Sequence, residues 1–321
     1  MEKHAEILAP AGGEAQLRAA VLCGADAVYL GLRGFNARAG AENFDENTLP
    51  QTVGWCHARG VRVYVTLNTL VTDRELPQWL HSLDAVAAAG VDGVLVQDLG
   101  LAKIIRQRYP TLPLHASTQM ALCSAAGAQM AARLDFDRVV LARECGLQEI
   151  RRVAQTGIET EIFVHGALCT AVSGRCLMSS MSGGRSGNRG RCAQPCRQCF
   201  QMESRRGPLL SLKDLCLLDD LPALQQAGVT SLKIEGRLKS PEYVAVVASV
   251  YRKALDDLAA GRFHPGDREA RERLLQIFNR GGFTRGHAMG AEDAELVTPN
   301  RVSHEGLPMG RLLSVNRGLA S

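Results

Sequence analysis

Eight times before residue 262 this chain passes from a short apolar, β-rich run into a helical pattern, and that alternation leaves very few folds open to it. The periodicity predicts strands at 5–10, 27–32, 61–69, 92–98, 112–119, 137–143, 159–168 and 230–236. Helices are predicted near 13–24, 46–59, 74–89, 99–108, 124–134, 146–157, 219–228 and 241–260. Gly24, Gly60, Gly90, Gly157 and Gly228 each end a helix before the next strand, and Ser240-Pro241-Glu242 opens the last one as a cap followed by proline. Repeated βα units build a parallel sheet, either open and doubly wound or closed as a barrel. No G-x-G-x-x-G follows the first strand to favour the open form. The expected fold is therefore an α/β (β/α)8 TIM-like barrel over 1–262, a size that 321 residues accommodate.

One connection breaks the pattern. About 50 residues, 169–218, separate the seventh strand from the seventh helix, where such loops normally take about 2–6. Loops that follow the C-terminal ends of barrel strands build the active site in this fold, so the insertion is functional by position. After residue 262 the pattern changes again, to one more helix, a glycine-rich turn and the extended stretch TPNRVSHEGLPMG. Residues 263–321 are read as a C-terminal extension that either packs back on the barrel or starts a further domain.

The insertion carries five of the ten cysteines, spaced C-x6-C-x15-C-x3-C-x2-C from Cys169 to Cys199. No apolar run approaches the roughly 20 residues of a membrane helix, and the N-terminus lacks a secretory signal. A cytoplasmic chain follows, and there cysteines serve metals or catalysis rather than disulfides. Four thiolates suit an iron–sulfur cluster or zinc. A zinc ribbon would show two C-x2-4-C knuckles, and only the second half here does; the spacing leans towards a cluster and leaves zinc open. Cys23, Cys56, Cys123, Cys145 and Cys216 are scattered and read as small core residues.

The same loop is basic: Arg175, Arg185, Arg189, Arg191, Arg197, Arg205 and Arg206 face the single acid Glu203. Guanidinium forks match phosphate and carboxylate oxygens, so the ligand expected there is a nucleic acid or a small polycarboxylate. Arg38, Arg143 and Arg237, at or beyond strand ends, are further candidate anion clamps. Period-two alternation groups Tyr64, Thr66 and Asn68 on one strand face, His115, Ser117 and Gln119 on another, and Lys233 with Glu235 on a third. His115, His165, Lys233 and Glu235 are the candidate catalytic side chains. The bland alternative is a polar barrel layer, or for Lys233 and Glu235 a buried ion pair without a chemical role.

The runs ILAPAG, GADAVYLG, HGALC, SGRCLMSS, GRSGNRGRCAQPCR and LKIEGRLKSPEYV closely resemble the collagenase-like, U-type peptidase family, peptidase family U32, through essentially the whole barrel. Despite that label, the resemblance implies an oxygen-independent hydroxylase, acting on ribosomal RNA, transfer RNA or ubiquinone precursors. It implies a 4Fe-4S cluster on Cys169, Cys176, Cys192 and Cys196, an electron-donor protein, and prephenate as oxygen source in the RNA-modifying branch. That branch carries the final C-x3-C and the ubiquinone type does not, so RNA is the expected substrate. TPNRVSHEGLPMG looks like the junction to the extra domain of the ribosomal-RNA type. A peptidase is the second function, although neither H-E-x-x-H nor G-x-S-x-G is present. A third is a non-enzymatic RNA-binding module with a structural cluster.

Overall fold

The computed structural model describes residues 5–298, 300, 302–307, 315–316 and 319–320. Strands β1 (Glu6–Pro10), β2 (Ala27–Gly31), β3 (Arg62–Thr66), β4 (Gly93–Val96), β5 (Leu114–Ala116), β6 (Arg138–Val140) and β7 (Glu159–Ala167) run in order. Helices α1 (Glu14–Leu22), α2 (Leu49–His57), α3 (Leu76–Ala88), α4 (Leu99–Arg108), α5 (Ala125–Arg133) and α6 (Leu147–Ala154) alternate with them. The insertion holds α7 (Met178–Gly183), a hairpin of β8 (Phe200–Met202) and β9 (Arg205–Gly207), and β10 (Asp214–Cys216). Then come α8 (Leu221–Gln226), β11 (Ser231–Ile234) and α9 (Pro241–Ala259). β11 pairs in parallel with both β1 and β7, closing an eight-stranded parallel barrel, the form expected over the open sheet.

The local signals act as expected. Gly24, Gly60, Gly90, Gly157 and Gly228 all take positive φ, the left-handed stop that a side chain would resist. Ser240 accepts a hydrogen bond from Tyr243 N at 3.4 Å, with Pro241 in the first turn. Val28, Leu30, Val63, Val65, Val94 and Val96 are fully buried in the apolar core beneath the helices.

Two parts of the sequence reading need correction. The long connection is not one loop: β10 pairs antiparallel with the far half of β7, Asp214 opposite Ala167 and Cys216 opposite His165. β12 (Phe283–Thr284) then adds in parallel to β10. Three residues are too few to show a period, so β10 was invisible in the sequence. Nor are all the scattered cysteines core: Cys56 and Cys145 are buried, but Cys123 is exposed. The described part of the tail packs back, α10 (Arg268–Ile277) lying against α9, with Lys213 N donating to Leu296 O at 2.8 Å and Thr298 N to Ser211 O at 2.7 Å. Residues 308–314 of the C-terminal extension lie outside the described residues. Among those described, no helix is long and apolar enough to cross a membrane.

The barrel lumen is polar. Tyr64 donates to Glu6 at 2.8 Å, Arg138 to Glu6 at 2.7 Å and to Glu161 at 3.1 Å, Ser231 to Glu6 at 2.8 Å, and Lys233 to Glu161 at 2.6 Å. β1 is a neighbour of neither β3 nor β6 in the sheet, so the Tyr64–Glu6 and Arg138–Glu6 bonds cross the interior. The network fills the lower lumen and leaves open the C-terminal end, where catalytic sites of such barrels form.

Candidate active site at the barrel mouth

Above that layer, the ends of β2, β3, β5, β6, β7 and β11 surround a cavity of about 60 Å3 that opens to solvent. Its walls carry Tyr29, Arg38, Asn68, Gln119, Arg143, Lys233, Glu235 and Arg237. Most of the residues lining it carry polar side chains.

Glu235 organises the charge. Arg38 donates to it through Nη2 at 3.1 Å and Nε at 3.4 Å, and Tyr29 OH lies 3.3 Å away. Burial alone would raise the Glu235 carboxyl; the fields of Arg38, Arg143 and Arg237 overcome this and hold it down at about 2. Arg237 is buried, bonded to Thr66 Oγ1 at 3.1 Å and to Asn43, and burial lowers its guanidinium to about 10. Gly31 makes room for it: a Cβ there would lie 2.6 Å from its Nη1. Arg143 stacks over the Phe163 ring at 3.8 Å. Buried Nε atoms of both Arg143 and Arg237 have no hydrogen-bond partner. Three guanidiniums thus converge on one carboxylate, leaving an excess of two positive charges and donors that lack acceptors. Such a constellation suits an anion carrying two carboxylates.

The other candidates separate. Lys233 reaches the cavity from below, its ammonium 4.4 Å from the Tyr29 ring centroid, and burial lowers it despite Glu161. His115 is buried beside Tyr64, ring centroids 4.8 Å apart, and burial together with Arg138 and Lys233 keeps it neutral, well below its ordinary range. It belongs to the lower lumen. His165 faces the other way: the register between β7 and β11 shifts after Lys233, pairing Ile234 with His165. The ring packs among Tyr243, Tyr251 and Phe283, both nitrogens lack partners, and burial depresses it to about 3.

The insertion lies across the mouth. Gln97 and Asn188 exchange amide hydrogen bonds at 3.0 and 3.2 Å, and Gln119 Nε2 and Gln97 Nε2 both donate to Asn68 O. Gly190 has φ of 77°, and a Cβ there would come 2.7 Å from Asn36 O, so only glycine lets the insertion approach so closely. Asn188, Gln97 and Tyr29 were missed from the sequence; Tyr29 hides in a strand buried throughout its length. The predicted clamps divide. Arg38, Arg143 and Arg237 meet in the cavity; Arg189 pairs with Glu75, while Arg175 and Arg185 are exposed on the insertion.

Cys169 follows β7, Cys176 precedes α7, and Cys192 and Cys196 flank Gln194, where the chain takes a left-handed turn. All four thiols are free. Burial pushes the Cys196 thiol up, Arg197 opposes this, and Cys169, Cys192 and Cys176 each raise it further, so the four share one neighbourhood. The thiols lie within electrostatic reach of the cavity arginines: Cys192 acts on Arg38, and Cys169 on Arg143. As they stand, no three His, Cys, Asp or Glu side chains among the described residues are arranged to hold a metal ion. The donor set, four thiols in one loop system outside the apolar core, still fits a cluster.

The family model for peptidase family U32 matches residues 12–298. The 23S rRNA 5-hydroxycytidine C2501 synthase of Escherichia coli is 40% identical over 265 residues, covering 80% of this chain and 40% of that protein. The tRNA hydroxylation protein P1 of Bacillus subtilis is 38% identical over 272 residues, 80% of this chain and 64% of that protein. A collagenase of Porphyromonas gingivalis is 34% identical over 311 residues, 89% of this chain and 73% of that protein. The chain therefore spans less than two thirds of the length of the two RNA-related proteins. The solved structure of the U32 peptidase Mk0906 shares the fold at a TM-score of 0.52 and 15% identity, over 74% of this chain and 95% of that one.

Proposed function

This chain belongs to peptidase family U32, and on that premise we propose that it is the barrel of an iron–sulfur-dependent, oxygen-independent hydroxylase that modifies a pyrimidine in RNA. The observation that carries the reading is the cavity of Arg38, Arg143 and Arg237 around Glu235, within electrostatic reach of the thiols of Cys169 and Cys192. The similarity to an rRNA hydroxycytidine synthase and a tRNA hydroxylation protein supports RNA as the substrate.

Cys169, Cys176, Cys192 and Cys196 would hold a 4Fe-4S cluster, which when bound supplies single-electron transfer, fed by an electron-donor protein. The chain's own residues bind and orient. Arg38, Arg143 and Arg237 offer positive charge to a dicarboxylate, and prephenate, with two carboxylates, would be the oxygen donor. Glu235 stays ionised, so it holds the arginines in place and serves as a proton acceptor only once a ligand displaces their charge. Lys233, above Glu161, sets the floor of the site. The peptidase reading finds less support: among the described residues no hydrogen bond joins a cysteine to a histidine, as a thiol nucleophile would need.

Nucleoside mass spectrometry of ribosomal and transfer RNA from a deletion strain tests the proposal. A 5-hydroxypyrimidine should vanish, return with the intact gene, and stay absent with Cys192→Ser. An unchanged nucleoside profile in the deletion strain would refute it.

A further inference from the structure

The structure sorts the basic residues of the insertion into two sets, and only one of them belongs to the cavity. Arg175, Arg185, Arg191, Arg205 and Arg206 are exposed, and none forms an ion pair with an acid among the described residues. Most other arginines of the chain do have acidic partners, including Arg189 of the same insertion, held by Glu75. Five unpaired guanidiniums on one insertion repel one another unless a polyanion lies across them.

Large apolar side chains are exposed among them. Leu177 is 67% exposed, Met181 85% and Met202 59%. Met202 and Arg205 oppose each other in the β8–β9 hairpin, and every residue from Gln201 to Arg206 is exposed, so this ribbon stands out from the barrel. Thr170 donates to Leu210 O at 2.6 Å, which ties the base of the ribbon beside Cys169. A short hairpin without a packed face is marginal alone, which suits a surface that gains its contacts from a partner.

We infer that this outer face of the insertion, from Arg175 to the Arg205–Arg206 ribbon, is where the RNA backbone docks, with the cavity arginines reserved for the small anion. The inference rests on the RNA reading above and adds where the strand lies. Arginines bind its phosphates, and the exposed Leu177, Met181 and Met202 are placed to contact unstacked bases at the mouth.

The test measures binding of the full chain to a labelled single-stranded RNA oligonucleotide over a salt series. Two double variants are compared with wild type, Arg205→Gln with Arg206→Gln and Arg175→Gln with Arg185→Gln; because these side chains are exposed, thermal unfolding should not move. Each should weaken binding and flatten the slope of log affinity against log salt by about 0.7 per lost phosphate contact. Malonate-induced thermal stabilisation, which reads the cavity, should be unchanged. If wild type binds the RNA and both double variants match its affinity and slope, the inference fails while the RNA reading stands, and the face serves another partner such as an acidic protein. If wild type does not bind RNA at all, both fail together.

Discussion

Arg38 Nη2 donates to Glu235 Oε1 at 3.1 Å, tying the loop after β2 to the end of β11 across the barrel mouth. The carboxylate also attracts Arg143 and Arg237, offsetting part of the repulsion among the three guanidiniums. Removing it should leave them uncompensated. Glu235→Gln is expected to destabilise the chain by on the order of 3 kcal/mol in urea unfolding. Malonate should then raise the melting temperature of the variant more than that of wild type, because an added anion replaces the lost charge. Equal stabilisation of both would mean the three cations do not act together.

The cavity arginines should matter for the small anion and not for RNA. Arg143→Gln removes a charged donor whose Nε has no protein partner. Loss of about 1.5–3 kcal/mol of charge-assisted hydrogen bonding corresponds to roughly 10–150-fold weaker dicarboxylate binding, measurable by calorimetry with prephenate. A variant that binds prephenate as wild type does would remove Arg143 from the site.

Lower in the lumen, Lys233 and Glu161 are joined at 2.6 Å and both are buried. Glu161 also accepts from Arg138, which keeps Glu6 and Glu159 as partners, so Glu161→Gln leaves Lys233 as the stranded cation. It should cost about 3–5 kcal/mol, and Lys233→Met combined with Glu161→Gln should cost less than the two single changes added together. Simple additivity in that cycle would show that the pair is not coupled.

His165 gives a pH signature. Burial depresses its folded pKa from 6.5 to about 3, so the unfolded chain takes up a proton that the folded chain refuses. Its neutral form is stabilising above pH 6.5, and that contribution is lost as pH falls towards 3. Between pH 7.5 and 5.5 wild type should lose about 1.4 kcal/mol that His165→Phe retains. Parallel stability curves for the two proteins over that interval would show the ring titrating as it does in water.

That histidine also marks a limit of sequence reading. Strict alternation puts residue 165 on the face of Glu161 and Phe163, towards the lumen. The shift between β7 and β11 turns it outward against Tyr243 and Tyr251, and a register irregularity leaves no trace in period-two patterning. The barrel itself was legible because five of its eight helices end on a glycine stop and each strand carries its own apolar run. The inward faces of Tyr64, His115 and Lys233 were legible because polar residues alternate with valine and leucine there. What local pattern could not supply was pairing over distance. The Arg38–Glu235 contact spans 197 residues and the Gln97–Asn188 contact spans 91. The division of the arginines between cavity and surface depends on such contacts.

The account turns on whether the thiols of Cys169, Cys176, Cys192 and Cys196 close around one iron–sulfur centre. Anaerobic purification followed by iron and acid-labile sulfide analysis, with electron paramagnetic resonance of the dithionite-reduced protein, measures this directly. The predicted result is about four irons and four sulfides per chain, with a reduced-cluster signal that Cys192→Ser abolishes. Protein that carries zinc and no labile sulfide after anaerobic isolation and reconstitution would contradict it.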